Sequence, residues 1–130
     1  MNRTSRRQKV IDKCKSLLLK ILKIERGGCC EICGKHTNNI GLFHILPTSR
    51  FPRIQLHKQN ILLAGWYCCH YAWHHDHMSA KVLIEPKIKA LRGEDYMNDL
   101  IKLDVTAEKL SLVRLNVIHE ALKLELKSVL

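Results

Sequence analysis

The chain has 130 residues, 46% of them hydrophobic, which is enough for one domain with a single core and too little for two large domains. Its formal net charge of +10 favours a polyanionic partner or an anionic membrane surface. The charge is uneven, because residues 1–28 contain nine basic side chains and two acidic ones. No apolar run approaches the roughly 20 residues that span a bilayer, and the basic start is not followed by a signal-peptide pattern. We therefore expect a cytoplasmic protein without a membrane partner.

The first predicted element is a basic N-terminal helix within residues 1–27. From about Thr4 to Glu25, apolar residues recur three or four positions apart, which indicates one buried helical face. These residues are Val10, Cys14, Leu17, Leu18 and Ile21. Lysines occupy the other faces, and the pair Gly27-Gly28 is expected to end the helix.

The central segment, residues 28–78, is rich in Cys, His, Gly and Pro. Two runs typical of short strands, NIGLFHIL and NILLA, lie on either side of the loop PTSRFPRIQLHKQ. Three aromatic residues after the second run, Trp66, Tyr71 and Trp73, are expected to pack in the core of this segment. The segment therefore predicts a small hairpin unit followed by residues suited to metal binding.

Residues 79–130 predict a C-terminal helical region. Ser79 is a candidate cap for a helix that runs toward Leu91 and ends at Gly93, and DYMNDLIKL is a short helix after it. Thr106 is the candidate start of a last helix. The apolar stripe of that helix must cover the core or a partner, such as a second copy of the chain, and it consists of Leu115, Ile118, Leu122, Leu126 and Val129.

The six cysteines indicate metal binding more than disulfide bonding. They are Cys14, Cys29, Cys30, Cys33, Cys68 and Cys69, and two adjacent pairs fit a disulfide framework poorly. Cys30 and Cys33 have the Cys-x-x-Cys spacing, and Gly34 permits a tight turn that points backbone amides at the thiolates, as in half of a tetrahedral zinc site. A redox pair is the alternative, but the strand and helix pattern that normally surrounds one is missing. The second half must come from downstream, where Cys68 and Cys69 lie.

An ordered series of residues runs through the central segment. It consists of Cys30-x-x-Cys33, His44 at the end of an apolar run, Asn60 before another run, and the pair Cys69-His70. This series resembles the HNH endonucleases, the ββα-metal nucleases with a zinc knuckle, and most closely those encoded by phages and prophages. The resemblance covers residues 28 to about 78, which is less than half of the chain.

The resemblance implies a fold, an activity and roles for particular residues. The fold would be α+β, with a zinc-stapled ββα-metal core flanked by N-terminal and C-terminal helices in a single domain. The activity would be metal-dependent hydrolysis of DNA phosphodiester bonds, with His44 as the general base and Asn60 bracing the loop that orients it. His70 would bind the catalytic Mg²⁺ or Mn²⁺. His74, four residues along the same helical face, would share that ion.

The resemblance also implies further ligands of the structural Zn²⁺ and residues that contact DNA. Cys69 would be the third zinc ligand. The fourth ligand is left open among Cys68, Cys29, His36, His75 and water, with Cys68 preferred. Arg50 and Arg53, in the loop between the strands, would contact phosphates of the DNA.

One departure from the family favours a second interpretation. Many HNH proteins place a ligand of the catalytic metal directly before the first histidine, whereas this chain has Phe43, which cannot bind metal. The alternative is a zinc-dependent DNA-binding protein that retains the fold without cleaving. A thiol redox protein is a third interpretation, which the vicinal cysteines favour and the histidines oppose.

Overall fold

The computed structural model describes residues 5–76, 78, 80–103 and 108–130. Within these residues the chain forms five α-helices and one two-stranded antiparallel sheet, which confirms the predicted mixed α and β class. The helices are α1 (Arg6–Arg26), α2 (Tyr71–His75), α3 (Glu85–Arg92), α4 (Tyr96–Ile101) and α5 (Leu112–Val129). The strands are β1 (Ile40–His44) and β2 (Ile61–Gly65). None of the described helices is both long enough and apolar enough to cross a bilayer.

Short helical turns connect these elements. Two 3-10 turns, Pro52–Ile54 and Lys58–Asn60, lie between the strands. A π-helical turn, Trp66–His70, leads directly from β2 into α2, and a second one, Ala80–Ile84, precedes α3. The π-helical turn after β2 matters most, because it contains two cysteines and a histidine of the predicted site.

The helix α1 lies where the sequence pattern predicts it. The hydroxyl oxygen of Ser5 accepts a hydrogen bond from the Gln8 N–H at 3.1 Å, which caps the first turn. The helix ends at Gly27, whose φ of +83° lies in the region that favours glycine. The buried face is formed by Ile11, Cys14, Leu18, Ile21 and Leu22. The predicted start at Thr4 lies outside the described residues.

The two strands form a hairpin in which His44 pairs with Ile61 and Ile40 pairs with Gly65. Both strands overlap the two predicted runs. All five residues of β2 are buried, so this strand lies at the centre of the core although the sheet has only two strands. A two-stranded sheet is marginal by itself and needs cover from other elements.

Hydrogen bonds from other segments of the chain close the outer edge of β2. Glu31 donates its N–H to the Leu63 carbonyl at 2.8 Å, and its carboxylate accepts the Leu63 N–H at 2.6 Å. Arg26 and Arg92 both donate to the carbonyl oxygen of Ile61, at 2.8 Å and 2.9 Å. The strand therefore leaves few backbone groups available for pairing with another chain.

The helix α5 packs along α1 in the same direction. At the N-terminal ends, the Arg7 guanidinium donates to the Leu110 carbonyl at 2.6 Å and 2.9 Å. At the C-terminal ends, Lys58 lies between Glu25 of α1, at 2.9 Å, and Glu125 of α5. Like ends of the two helices therefore lie together, and α1 also contacts both strands of the hairpin.

The last helix begins later than predicted. Residues 108–110 are not helical, and α5 starts at Leu112 after Ser111, whose hydroxyl oxygen accepts the Arg114 N–H at 3.1 Å. The engagement of the Leu110 carbonyl by α1 fixes the segment before the cap, so a start at Thr106 is wrong. Thr106 itself and Ser79 lie outside the described residues. Of the predicted apolar stripe, Leu115 and Leu122 are buried and Ile118 and Leu126 pack against the core; self-association through this helix stays a prediction.

The aromatic residues after β2 are divided between core and surface. Trp73 is half-buried and packs on the ring of Phe43, with 5.6 Å between ring centroids. Trp66 and Tyr71 are 44% and 52% exposed, so their predicted core packing is wrong. The reason is helical geometry: the turn that directs Cys69 and Trp73 inward places Trp66 and Tyr71 on the outer face.

Candidate metal centre

Four cysteine sulfurs meet beside the hairpin. The Sγ atoms of Cys30, Cys33, Cys68 and Cys69 all lie within 4.8 Å of one another. Four thiolates bound at about 2.3 Å to one tetrahedral zinc ion are about 3.8 Å apart, so a small inward movement completes such a site. This cluster can hold a metal ion, consistent with a structural metal.

The first pair of cysteines is held by a tight turn. The Gly34 N–H donates to the Cys30 carbonyl at 2.8 Å, and the Cys30 N–H donates to the Lys35 carbonyl at 3.0 Å. Gly34 has a φ of +79°, which an L side chain rarely adopts. Cys29 forms an isolated antiparallel bridge with His36, so it lies outside the cluster although it adjoins Cys30.

The second pair comes from the π-helical turn after β2. Cys69 is buried and Cys68 is half-buried, and both sulfurs belong to the cluster although the two residues are adjacent. A π-helical turn is wider than an α-helical one, and this changes the direction of successive side chains. Of the residues considered for the fourth position, the structure places Cys68 in the cluster, and places Cys29, His36 and His75 outside it.

The electrostatics of the four sulfurs favour a bound cation. Burial would raise the pKa of Cys30, but hydrogen bonds from backbone N–H groups outweigh it and lower that pKa to about 7. Burial and the neighbouring thiols raise the pKa of Cys68 to about 11, and burial together with the charge on Cys30 raises the pKa of Cys69. Several thiolates this close together repel one another, and a divalent cation removes that repulsion. A redox pair would need two thiols, whereas this site assembles four.

Gly65 is in tight contact with the cluster. A Cβ atom at this position would lie 2.5 Å from the Sγ of Cys68 and 3.0 Å from the Cγ2 of Thr37. Gly41, in the neighbouring strand, has open space where its Cβ would be. The backbone of β2 therefore approaches the second cysteine pair as closely as a glycine allows.

We expect Gly65→Ala to weaken metal retention. The added methyl group must displace the Cys68 sulfur or the strand, and such overpacking costs about 1–3 kcal/mol. The measurement is the rate of zinc release to a coloured chelator, with Gly41→Ala as the matched control that should release zinc like the wild type. Equal release from all three proteins would show that Cys68 is not a ligand.

His44 lies at the end of β1. Its Nε2 atom is 2.7 Å from the carbonyl oxygen of Gln55, in the loop between the strands. Because a carbonyl oxygen only accepts hydrogen bonds, Nε2 carries the proton and the lone pair of the neutral ring lies on Nδ1. The contact fixes both the orientation of the imidazole and its tautomer.

Asn60 is completely buried, and its side chain forms hydrogen bonds with the backbone of the segment that follows β1. Its Oδ1 accepts the Leu46 N–H at 2.7 Å, and its Nδ2 donates to the Leu46 carbonyl at 3.1 Å. The Asn60 carbonyl also accepts the Ile45 N–H at 2.9 Å. The asparagine thus pairs with both backbone groups of the residue two positions after His44.

His70 is half-buried at the end of the π-helical turn. Its ring lies 5.6 Å from the ring of Phe43 and 4.8 Å from the ring of Trp66, measured between centroids. Phe43 also contacts Trp73, so the π-helical turn and α2 fold back over β1. Phe43 precedes His44 in the strand, and the two side chains therefore leave it on opposite faces.

The other predicted site residues are His74, Arg50 and Arg53. His74 belongs to α2, but its side chain lies outside the described part of the chain. Arg50 is exposed and Arg53 is half-buried, and both lie in the loop between the strands. Sequence patterns did not single out Gln55 or Gly65. Gln55 contributes a backbone carbonyl, which no side-chain pattern records, while a glycine just before a cysteine pair could have indicated a close backbone approach.

Comparisons of this chain with protein-family models, with curated proteins and with solved structures found no match. The resemblance of the central residues to HNH nucleases therefore stays a prediction.

Proposed function

We propose that this protein is a metal-dependent DNA endonuclease of the HNH type in which His44 is the general base. The observation that carries the proposal is the bracing of His44 at the end of β1. The Gln55 carbonyl orients the ring at 2.7 Å, and the buried Asn60 side chain holds Leu46 just beyond it. A general base needs a fixed ring and a nitrogen that accepts a proton. The Gln55 contact fixes the ring, and in the neutral imidazole it assigns the accepting lone pair to Nδ1.

Hydrolysis of a phosphodiester bond requires a group that accepts a proton from water and groups that stabilise the charge on the phosphate. In this proposal Nδ1 of His44 removes the proton from the attacking water while Nε2 stays hydrogen-bonded to Gln55. Arg50, exposed in the same interstrand loop, would contact a neighbouring phosphate. The net charge of +10 favours association with DNA before any step occurs.

The two metal roles differ in how well the described residues fit them. The four-cysteine cluster fits a structural Zn²⁺, since it supplies four sulfur ligands in one place. Among the described residues it is the single group of three or more metal-ligating side chains. A catalytic Mg²⁺ or Mn²⁺ would polarise the phosphate and would depend on His70 and His74 together with water and phosphate oxygens. The described side chains alone do not complete that second site.

Phe43 favours a second candidate function, a zinc-dependent DNA-binding protein that does not cleave. Phe43 is 0% exposed and lies between His70 and Trp73, in the position where the family places a metal ligand. A buried ring contributes packing and offers no donor to a metal. The hairpin and the zinc cluster would then serve binding alone.

The test that separates the two candidates is nicking of supercoiled plasmid DNA. We expect nicking when Mg²⁺ or Mn²⁺ is added and none in the same buffer without a divalent ion. The zinc content is measured after each reaction, so that loss of the structural metal is not mistaken for loss of activity. Binding without nicking in any divalent ion would favour the second candidate.

A further inference from the structure

Five basic side chains form a line along the exposed face of α1. They occupy positions three, four or seven residues apart, and a helix with 3.6 residues per turn brings such positions onto one face. All five are exposed, and we call them the basic ridge: Arg6, Lys9, Lys13, Lys20 and Lys23. Ser16, also exposed, fills the gap in the line without adding charge.

No acidic side chain of the described chain forms an ion pair with the basic ridge. Glu25, at the end of α1, is engaged by Lys58, and Asp12 accepts a hydrogen bond from Gln8 at 2.8 Å. Other cations of the protein do have partners, as Arg26 has Glu31 at 3.2 Å. The ridge therefore keeps its positive potential for an external anion.

The ridge continues into a groove between α1 and α5. This open groove of about 420 Å³ is lined by Lys13, Ser16, Leu17, His119 and Lys123. Lys123 pairs with Glu120 on the surface, an interaction that contributes little in water. Positive side chains therefore border the groove on both helices.

The buried face of α1 distinguishes between two kinds of anionic surface. A helix that binds membranes inserts its apolar face between the lipids. Here that face is covered by the core, since Cys14, Leu18 and Leu22 are 0% exposed. The exposed ridge itself presents only charged and polar groups to a partner, which fits a nucleic-acid backbone better than a lipid surface.

We propose that the basic ridge of α1 binds the phosphate backbone of double-stranded DNA and is a contact surface separate from the hairpin site. The choice of DNA as the nucleic acid rests on the proposed function. From Arg6 to Lys23 the ridge extends about 26 Å along the helix axis, which corresponds to roughly eight base pairs of duplex. The contacts are made to phosphates, so this surface anchors the protein without reading sequence.

The experiment compares two variants with equal loss of charge. In the ridge variant four lysines become glutamine: Lys9→Gln, Lys13→Gln, Lys20→Gln and Lys23→Gln. In the control variant four exposed lysines outside α1 are changed in the same way: Lys81→Gln, Lys87→Gln, Lys102→Gln and Lys109→Gln. Affinity for a short DNA duplex is measured over a series of salt concentrations without added divalent ions, so that cleavage plays no part.

We expect the ridge variant to bind more weakly and with less dependence on salt. The plot of the logarithm of affinity against the logarithm of salt concentration has a negative slope. The magnitude of this slope should decrease by about 0.9 for each lysine that contacts a phosphate. The control variant should keep most of the wild-type slope. Equal losses in both variants would show that net charge alone matters and would overturn the proposal. Tighter binding of the wild type to anionic vesicles than to duplex would also overturn it.

Failure of the ridge inference can be distinguished from failure of the nuclease assignment. A wild-type protein that binds DNA through the ridge but never nicks it leaves this inference standing while the proposed function fails. A ridge variant that nicks and binds like the wild type leaves the nuclease standing while the ridge inference fails. Circular dichroism of both variants establishes that α1 has stayed helical, which glutamine favours as lysine does.

Discussion

Cys69→Ser is expected to abolish tight metal binding and to unfold the protein. Cys69 is buried in the four-sulfur cluster. The turn that contains Cys30 and Cys33 is joined to β2 by the two hydrogen bonds between Glu31 and Leu63. Zinc bound at a structural site contributes about 10–16 kcal/mol to folding, which is comparable to the whole stability of a domain. Elemental analysis should find about one zinc per chain in the wild type and close to none in the variant. Circular dichroism reports the loss of helix.

Cys29→Ser is the matched control for this loss. Cys29 adjoins Cys30 and is exposed, but its sulfur lies outside the cluster. The control variant should therefore keep its zinc and its fold. A Cys69→Ser protein that retains both would contradict a structural metal at this site, and so would a wild-type protein that folds fully without zinc.

His44→Ala is expected to remove cleavage while leaving zinc content, fold and DNA affinity nearly unchanged. His44 acts on the proton of the attacking water, so it matters in the transition state and contributes little to holding the duplex. Loss of a general base costs about 10²–10⁴-fold in rate. Time courses of plasmid nicking measure this decrease, and DNA binding measured without divalent ions checks the affinity.

A second histidine provides the control for the His44 result. His119 is half-buried on α5, where it borders the groove beside the basic ridge, and it is remote in sequence from the hairpin. At a DNA concentration that saturates the protein, His119→Ala should therefore nick at the wild-type rate. His70→Ala should lose nicking in a different way, with recovery as the divalent ion concentration rises, because it weakens metal binding and leaves the base in place. If His44→Ala nicks as fast as the wild type, His44 is not the base and the nuclease assignment fails.

Local sequence patterns predicted the elements that depend on neighbouring residues. The apolar spacing of α1 and its glycine stop are features of a few consecutive turns, and the structure has the helix from Arg6 to Arg26. The first half of the metal cluster was equally predictable from sequence, because Cys30, Cys33 and Gly34 lie within one tight turn whose geometry depends on glycine at φ +79°. The two strand-like runs were visible as apolar segments on either side of a polar loop.

Contacts between distant residues decided the rest. The sequence left the fourth ligand open, and it is the π-helical turn from Trp66 to His70 that brings the sulfurs of both Cys68 and Cys69 to the cluster. The same turn directs Trp66 outward, although composition suggested a core residue. The contact from Gln55 to His44 joins a backbone carbonyl to a ring, and a backbone group leaves no pattern in the sequence.

The sequence by itself determined the mixed α and β class, the basic first helix and the first half of the metal cluster, because each follows from periodicity or from spacing within a turn. Tertiary structure alone decided that α5 runs parallel to α1, that it starts at Leu112, and that Cys68 and not Cys29 joins the cluster. These outcomes depend on Arg7 meeting Leu110 and on Gly65 lying against Cys68, pairs whose partners must be folded together before they can interact. Spacing along a chain records which residues can share a face or a turn, whereas the choice between distant partners is made by packing and hydrogen bonding in the folded core.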